Sequence, residues 1–418
     1  MKKDLMFYRF ALYGFLKNLR FFDPFMVLFL REVGLSFFQI GILYAVRDLS
    51  ANLLEIPSGI YADAFGRRRS MVLSFVAYLL SFVVFYLFPN FYVYTLAMLL
   101  FGIGDAFRSG THKALILEYL RIQGLEDQKV TYYGQTRAAS QLGSALSSLI
   151  AAALVFYSGR YRPIFLASTV PYALDLVNLA TYPRILDGER VGVQRGALLQ
   201  RYRVTFSSLV AVLRAPTALR TILNGASFDA FFKATKEYLQ PILQTLALSA
   251  PLLILWDERE RSALIVGGVY FVIYLLTSYA SHHSDRFIAR FSGLTSAVNL
   301  TFLGGALFLL LVGASSRLEL RALSVLLFLG FYVLYNVRKP LSVAFISDRI
   351  THEVLASGLS VESQLTNILM IGLAPLLGAL ADLFSVGTAL MILGGLMLLL
   401  LLVVRMENVE RLSVVGVG

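Results

Sequence analysis

The segment Gly59-Ile60-Tyr61-Ala62-Asp63-Ala64-Phe65-Gly66-Arg67-Arg68-Arg69 is a short basic stretch that contains two glycines. It lies between two apolar runs, residues 36–58 and 71–88, and each run is long enough to cross a bilayer. Two spanning helices joined by so short a segment form an antiparallel hairpin. Three consecutive arginines predict that the join is cytoplasmic. The two glycines suit a turn in which the backbone needs a positive φ or a close approach.

The composition is that of an integral membrane protein. The chain has 418 residues, of which 57% are hydrophobic and 15% charged, whereas a soluble domain has about 25% charged residues. The net charge of +11 could suggest a nucleic-acid partner, but in a membrane protein it reflects arginine-rich cytoplasmic loops, so we expect none. There is no cysteine, and the four histidines show no metal-ligand spacing. No metal or other cofactor is therefore expected.

Short polar breaks divide the chain into twelve apolar segments of spanning length. They are residues 6–30, 36–60, 70–88, 92–119, 133–157, 163–183, 217–243, 262–283, 292–313, 320–347, 357–384 and 387–404. An even number places both termini on one side. With that side inside, the inner loops carry about 19 Lys and Arg and the outer loops about 7. This predicts a multi-pass protein of the cell (inner) membrane with both termini in the cytoplasm.

The longest polar break separates six segments from six. It predicts an N-terminal six-helix bundle (residues 1–183), a cytoplasmic linker (184–216) and a C-terminal six-helix bundle (217–418). Within the linker, apolar residues recur at three- and four-residue steps, at Leu199, Tyr202, Phe206, Leu209 and Leu213. This pattern favours an amphipathic helix on the inner leaflet, and a mobile linker is the alternative.

Three short internal matches relate the two halves at nearly one offset. Asp63-Ala64-Phe65 followed by Arg68 recurs as Asp285-Arg286-Phe287 followed by Arg290, Leu99-Leu100-Phe101 as Leu326-Leu327-Phe328, and Ser140-Gln141-Leu142 as Ser363-Gln364-Leu365. The offsets are 222, 227 and 223 residues, close to half the chain. They predict two equivalent bundles.

The opening segment resembles the signature between the second and third helices of the major facilitator superfamily. That signature reads Gly, three residues, Asp, two residues, Gly and two basic residues, and the matching positions are Gly59, Asp63, Gly66, Arg67 and Arg68. The resemblance implies an all-α integral membrane fold with twelve transmembrane helices in two pseudo-symmetric six-helix bundles. It also implies a monomeric secondary transporter that works by alternating access, and no enzyme.

Charged side chains inside the predicted segments are the candidate binding site, because a charge at the bilayer centre normally faces a polar cavity or a partner. In the family that this chain resembles, helices one, four, seven and ten line a central cavity. With helix five added, the candidate substrate ligands are Lys17, Arg20, Asp105, Arg108, Arg137, Lys233, Arg338 and Lys339. Cations predominate, which predicts a small organic solute that is anionic or zwitterionic. The alternative is that neighbouring acids neutralise these cations.

Helical spacing predicts which of these charges share a face. Asp105, Arg108 and His112 follow one another at three- and four-residue steps in the fourth segment. Asp229, Lys233 and Glu237 form an i, i+4, i+8 stripe in the seventh segment, a geometry suited to internal ion pairs.

A cytoplasmic gate and a proton site need further residues. The gate is predicted at Gly59, Asp63, Gly66, Arg67, Arg68 and Glu118, with the Glu118 carboxylate paired to the arginines. The carboxylates predicted to carry a coupling proton are Glu55, Asp105 and Glu362.

Other functions on this fold stay open. In the family that this chain resembles, drug–proton antiporters carry a glycine-proline pair in helix five. Residues 133–157 contain no proline, which argues against a multidrug efflux antiporter. A lipid-moving protein or a non-transporting receptor remains possible because fold does not fix function. A membrane-embedded enzyme would need clustered catalytic groups at one face, whereas the charges here are dispersed.

Overall fold

The computed structural model describes residues 3–188, 216–251, 254–283, 293–349 and 352–407, together with the single residues 200, 203 and 291. Within these ranges every regular element is helical. Apart from residues 200 and 203, the predicted linker helix around residues 199–213 lies outside this described part, as does the second copy of the basic turn at residues 285–290.

Fifteen α-helices occupy the described ranges. They are α1 (Leu5–Lys17), α2 (Met26–Glu32), α3 (Phe37–Phe65), α4 (Arg67–Leu87), α5 (Phe91–Arg108), α6 (Thr111–Ile122), α7 (Lys129–Ser158), α8 (Pro163–Ala180), α9 (Pro216–Thr235), α10 (Leu239–Ser249), α11 (Glu258–His282), α12 (Leu294–Arg317), α13 (Arg321–Arg349), α14 (His352–Leu383) and α15 (Val386–Val404). The pairs α1/α2, α5/α6 and α9/α10 each form one span, so the helices make twelve spans in the predicted order.

Nine of the spans in the described ranges are long and apolar enough to cross a membrane on length and composition alone. The other three are the broken first and seventh spans and α3, which contains Arg47, Asp48, Glu55 and Asp63. These three spans carry charges or a helix break, as expected where backbone and side chains face a polar interior instead of lipid.

The basic segment at residues 59–69 contains a single-residue break between two helices, not a multi-residue turn. Helix α3 continues through Gly59 and Asp63 to Phe65, and α4 begins at Arg67. Only Gly66 is non-helical, with φ +103°. A Cβ on Gly66 would lie 2.7 Å from the Asp187 carboxylate, so this position requires glycine for both conformation and space.

The fourth span departs from the continuous helix predicted over residues 92–119. Helix α5 ends at Arg108, and Gly110 takes a left-handed conformation (φ +70°) before α6 begins at Thr111. The spacing of Asp105, Arg108 and His112 therefore crosses a break, and His112 belongs to a separate helix.

The two halves of the chain, up to residue 188 and from residue 216, contact each other through paired helices. Helix α3 packs on α14, and α7 packs on α11. Small residues allow the close approach: a Cβ on Gly41 of α3 would lie 2.4 Å from the carbonyl oxygen of Ala374 in α14.

Polar contacts between the halves gather at one end of the bundle, which we call the latched end. There the Asp382 carboxylate accepts hydrogen bonds from the backbone N–H groups of Phe37 (2.9 Å) and Phe38 (2.7 Å). Glu32 forms an ion pair with Arg259 at 2.8 Å. The opposite end, which carries Arg67, Arg68 and Arg69, is called the basic end. The halves are therefore held together across the latched end.

Candidate solute-binding cavity

A cavity of about 380 Å³ lies in the first half between α1, the α5–α6 break and α7. From it α6 leads towards the basic end, where Glu118 contacts Arg67. Four cations line the cavity, and no Asp or Glu occurs in its described lining. The cations are Lys17, Arg108, Lys113 and Arg137, and the polar neutral residues are Asn18, Thr136, Ser140, Gln141 and Ser144.

Lys17 is the last residue of α1, where the first span breaks. Its half-buried ammonium group has no hydrogen-bond or ion-pair partner among the described residues. The backbone around it is fixed, because the Tyr172 hydroxyl donates to the Lys17 carbonyl oxygen (3.0 Å) and accepts from Arg20 Nε (3.0 Å). Arg137 is exposed to the cavity and also lacks a partner in the described part. Both cations are available to a solute.

Arg108 differs from Lys17 because an acid already contacts it. Its Nη2 lies 3.1 Å from Asp105 Oδ1, its Nε donates to the Tyr78 hydroxyl at 3.0 Å, and Tyr78 donates to the same carboxylate oxygen at 2.5 Å. Asp105 and Arg108 thus lie on one face of α5, as their spacing predicts. The arrangement neutralises Arg108 and leaves Lys17, Lys113 and Arg137 without an acid partner among the described residues.

His112 enters the cavity lining from α6. Its ring stacks on Tyr13 with a centroid distance of 3.6 Å. Its Nε2 atom is buried and has no hydrogen-bond partner in the described part of the chain. From the sequence, His112 was predicted only to share a helix face with Asp105 and Arg108. The available signal was a histidine inside a predicted membrane span, three residues after Ser109.

Arg20 and Lys233 line other spaces. Arg20 borders a cavity of about 80 Å³ together with Asp23, Arg47 and Glu237. Lys233 borders a cleft of about 20 Å³ between α3, α9 and α14. Among cavities lined by described residues, the structure therefore brings Lys17, Arg108 and Arg137 together and places Arg20 and Lys233 apart from them.

The predicted pairing along Asp229, Lys233 and Glu237 is wrong. Asp229 forms an ion pair with Lys339 of α13, and Glu237 pairs with Lys236 at 3.0 Å. Helix α9 ends at Thr235 and a 3₁₀ turn follows, which moves Glu237 off the face that carries Asp229. A stripe defined on a continuous helix does not survive such a break.

Arg338 lies inside the second half, where it is only 2% exposed. Its guanidinium group donates to the Val298 carbonyl oxygen and to the side-chain oxygens of Thr301 and Asn224. It also lies over the rings of Phe228 (4.3 Å to the centroid) and Phe302 (5.5 Å). The structure therefore places Arg338 in the packing of α9, α12 and α13, with neutral partners around it.

Four of the predicted gate residues, Gly66, Arg67, Arg68 and Glu118, lie in contacts at the basic end. Glu118 accepts from Arg67 (3.4 Å) and Arg121 (2.6 Å), which is the predicted pairing with the turn. Arg68 donates from its backbone to Asp187 (2.9 Å) and from its side chain to the Ala180 carbonyl oxygen (3.1 Å). All these partners belong to the first half, so these contacts brace the basic end of that half.

The three predicted proton carriers have different surroundings. Asp105 is held by Arg108 and Tyr78. Glu55 is half-buried on α3. Glu362 on α14 is 5% exposed, and its Oε1 has no hydrogen-bond partner among the described residues.

Twelve helical spans in the described part of the chain define a multi-pass membrane protein, and a polar cavity lies within its first half. The chain belongs to the Major Facilitator Superfamily, whose sequence profile matches residues 10–361. This result confirms the fold class predicted from the basic segment, and it identifies a transporter family and not an enzyme.

Similar proteins agree with this assignment. The "Uncharacterized MFS-type transporter YxaM" of Bacillus subtilis (strain 168) is 22% identical over 259 residues, and the match covers 61% of each chain. The present chain thus spans about 61% of the length of that relative. It is also similar to crystal structures of transporters. For the nucleoside transporter NupG the TM-score is 0.74 at 14% identity, covering 95% of this chain and 96% of that one. For the inward open conformation of the xylose transporter XylE from E. coli, the TM-score is 0.67 at 14% identity, and the match covers 98% of this chain and 97% of that one. These likenesses show the fold.

Proposed function

We propose that this protein is a secondary active transporter that moves a small anionic or zwitterionic organic solute by alternating access, coupled to protons. Membership of the superfamily supports the transport activity. The observation that carries the substrate class is the cavity beside Lys17, whose described lining holds four cations and no carboxylate. Its volume of about 380 Å³ is within the range of roughly 300–1,000 Å³ for small-molecule sites.

The charge of this cavity favours an anion for a physical reason. Asp105 compensates Arg108, but Lys17, Lys113 and Arg137 have no acid partner among the described residues. Uncompensated cations in a partly dehydrated site are stabilised by a bound anion, and arginine can hold a carboxylate or phosphate with two hydrogen bonds. A cationic drug would face repulsion here. The positive charge of the cavity lining therefore favours a transporter of anionic solutes over a multidrug antiporter.

Alternating access requires the latched end to open and the basic end to close. The contacts of Asp382 with α3 and of Glu32 with Arg259 would break, and the two halves would rock about the α3–α14 and α7–α11 pairs. The moving units are residues 1–183 and 217–418, joined by the linker 184–216. The arginines of the basic end support a cytoplasmic location for that end and for both termini, with the protein in the inner membrane of the cell.

Glu362 is the strongest of the three proton candidates. A carboxylate oxygen that is buried without a protein donor can take a proton, whereas Asp105 already serves as the partner of Arg108 and Tyr78. Glu362 also lies against Gly225 in α9, since a Cβ on that glycine would be 2.6 Å from Glu362 Oε1. Protonation at this helix contact could therefore couple to movement between α9 and α14.

Binding and transport are tested in two stages on the purified full-length chain. Thermal stability in detergent is measured with small organic anions, zwitterions, cations and neutral solutes, and we expect stabilisation by anions or zwitterions. Uptake of the stabilising solute into proteoliposomes is then measured with and without a pH gradient, for the native protein and Glu362→Gln. The gradient should accelerate uptake only in the native protein. Stabilisation by cations alone, or binding without any uptake, would overturn the proposal.

A further inference from the structure

We propose that the group bound in the cavity beside Lys17 is a phosphomonoester carried by a small water-soluble organic molecule. This inference rests on the proposed function and narrows its substrate class. It follows from three features of the same cavity: the number of uncompensated cations, the helix that begins there, and an unpartnered histidine nitrogen.

The number of cations exceeds what a carboxylate can compensate. Lys17, Lys113 and Arg137 all line the cavity without an acid partner among the described residues. A carboxylate brings one negative charge and two oxygens. A phosphomonoester brings a charge of about −1.5 to −2 at neutral pH and three acceptor oxygens. The phosphomonoester therefore matches this set of donors better.

The break in the fourth span adds backbone donors to the same place. Helix α6 is 12 residues long and begins at Thr111 with no side-chain cap on its N-terminus. Gly110 and His112, which flank that start, line the cavity. A Cβ added to Gly110 would meet nothing within 4 Å, so the backbone is open to a ligand. Uncapped N–H groups and the helix dipole at such a start favour phosphate.

His112 supplies an independent indication of a ligand. Its Nε2 is buried without a partner in the described part, although the ring is held in place by stacking on Tyr13. Buried polar atoms normally have a hydrogen-bond partner. A phosphate oxygen at the start of α6 would provide one once the ring turns its Nε2 atom towards the cavity. Asn18, Ser140 and Gln141 also line the cavity, and their amide and hydroxyl groups can form hydrogen bonds with the hydroxyl groups of the organic part of the phosphomonoester.

The test compares phosphates with carboxylates on matched carbon skeletons. Purified full-length protein in detergent is titrated with inorganic phosphate, ribose 5-phosphate and glucose 6-phosphate, and with ribonate, gluconate, ribose and glucose, and the shift in unfolding temperature is recorded. We expect at least one phosphomonoester to bind tenfold more tightly than its matched carboxylate, and the neutral sugars not to bind. In the variants Lys113→Gln and His112→Phe this preference should fall to about twofold or less. Arg160→Gln, which removes an exposed cation outside the cavity, should leave it unchanged.

Each result separates this inference from the proposed function. Equal or tighter binding of ribonate or gluconate would overturn the phosphate assignment and leave an anion transporter. Stabilisation by cations or neutral solutes alone would overturn both. A final arm uses nanodiscs of phosphatidylcholine with or without phosphatidic acid: stabilisation by phosphatidic acid, but by none of the soluble phosphates, would assign the site to a lipid headgroup and refute a water-soluble substrate.

Discussion

The two halves of this molecule both place cations in the middle of their spans, but they treat them differently. In the first half, Lys17 and Arg137 face a cavity and have no partner among the described residues. In the second half, Arg338 is enclosed by three oxygen acceptors and two aromatic rings, and Lys339 is paired with Asp229. The residue types are the same on both sides. Their hydrogen-bonding state is not.

The difference shows that a buried cation has two separate uses in a membrane protein. When its donors are satisfied by neutral oxygens, as for Arg338, it holds helices together. When its donors are open to a cavity, as for Lys17, its charge is available to a ligand. Mutations in the two halves should therefore act on different quantities, stability in one and binding in the other.

Replacement of Arg338 should have the largest effect and should act on stability. Arg338→Ala leaves a large cavity between α9, α12 and α13 and strips the donors from Asn224 and Thr301. We expect a loss of roughly 3–5 kcal/mol in the free energy of unfolding, seen as poor yield and a lowered unfolding temperature in detergent. Arg338→Lys should retain part of the stability.

Loss of solute binding without loss of stability in Arg338→Ala would contradict the structural role assigned to Arg338. If Arg338→Ala were as stable as the native protein but lost solute binding, the second half would contribute to the binding site in the same way as Lys17.

Replacement of Lys17 or Arg137 should act on binding. Each charge-assisted hydrogen bond to an anion contributes roughly 1.5–3 kcal/mol, so Lys17→Gln and Arg137→Gln should each raise the Kd of the stabilising anion about 10- to 100-fold. The unfolding temperature without ligand should not fall, because removal of an unpaired cation relieves repulsion. Isothermal titration calorimetry and thermal unfolding measure the two quantities separately. Arg160→Gln is the matched control, and a fall in stability without a change in Kd would contradict the assignment.

The sequence was sufficient for the topology because that depends on long apolar runs and on a short motif. The sequence alone indicated twelve spanning segments and a positively charged connection between the second and third, as is typical of cytoplasmic loops. It also predicted the Glu118–Arg67 ion pair. The breaks were not predicted. Gly110 lies in the short polar stretch Arg108-Ser109-Gly110-Thr111-His112-Lys113, but the apolar runs on both sides of it favour one continuous helix over residues 92–119.

The binding residues could be predicted only as a set. Lys17 and Arg338 look alike in the sequence, since each is a cation inside an apolar segment. What separates them is the partner that each meets from distant parts of the chain, for example Asn224 beside Arg338. The pairing of Asp229 with Lys339, 110 residues away, was missed for the same reason.

Replacement of Asp63 should act on neither stability nor binding but on the rate of transport. Asp63 lies in the last turn of α3 beside Arg67 and Arg68 at the basic end. A surface ion pair between a carboxylate and an arginine contributes up to about 1 kcal/mol, so Asp63→Ala should slow uptake about fivefold with an unchanged Kd and normal membrane insertion. Full-rate uptake by Asp63→Ala would remove the gate assignment, and a raised Kd would move Asp63 into the binding site of the first half.

Replacement of Lys339 should have the smallest effect and gives the finest test of the comparison between the halves. The Lys339 side chain is 44% exposed while that of its partner Asp229 is 7% exposed, so water screens the pair and its coupling should be about 0.5–1 kcal/mol. A double-mutant cycle of Lys339→Ala and Asp229→Asn, read by thermal unfolding, measures that coupling. Because the Lys339 ammonium group is already paired with Asp229, neither variant should change the Kd of the anion by more than about twofold. A tenfold weaker Kd in Lys339→Ala with no coupling to Asp229 would show that this cation also serves the solute, and the division of roles between the halves would then be incorrect.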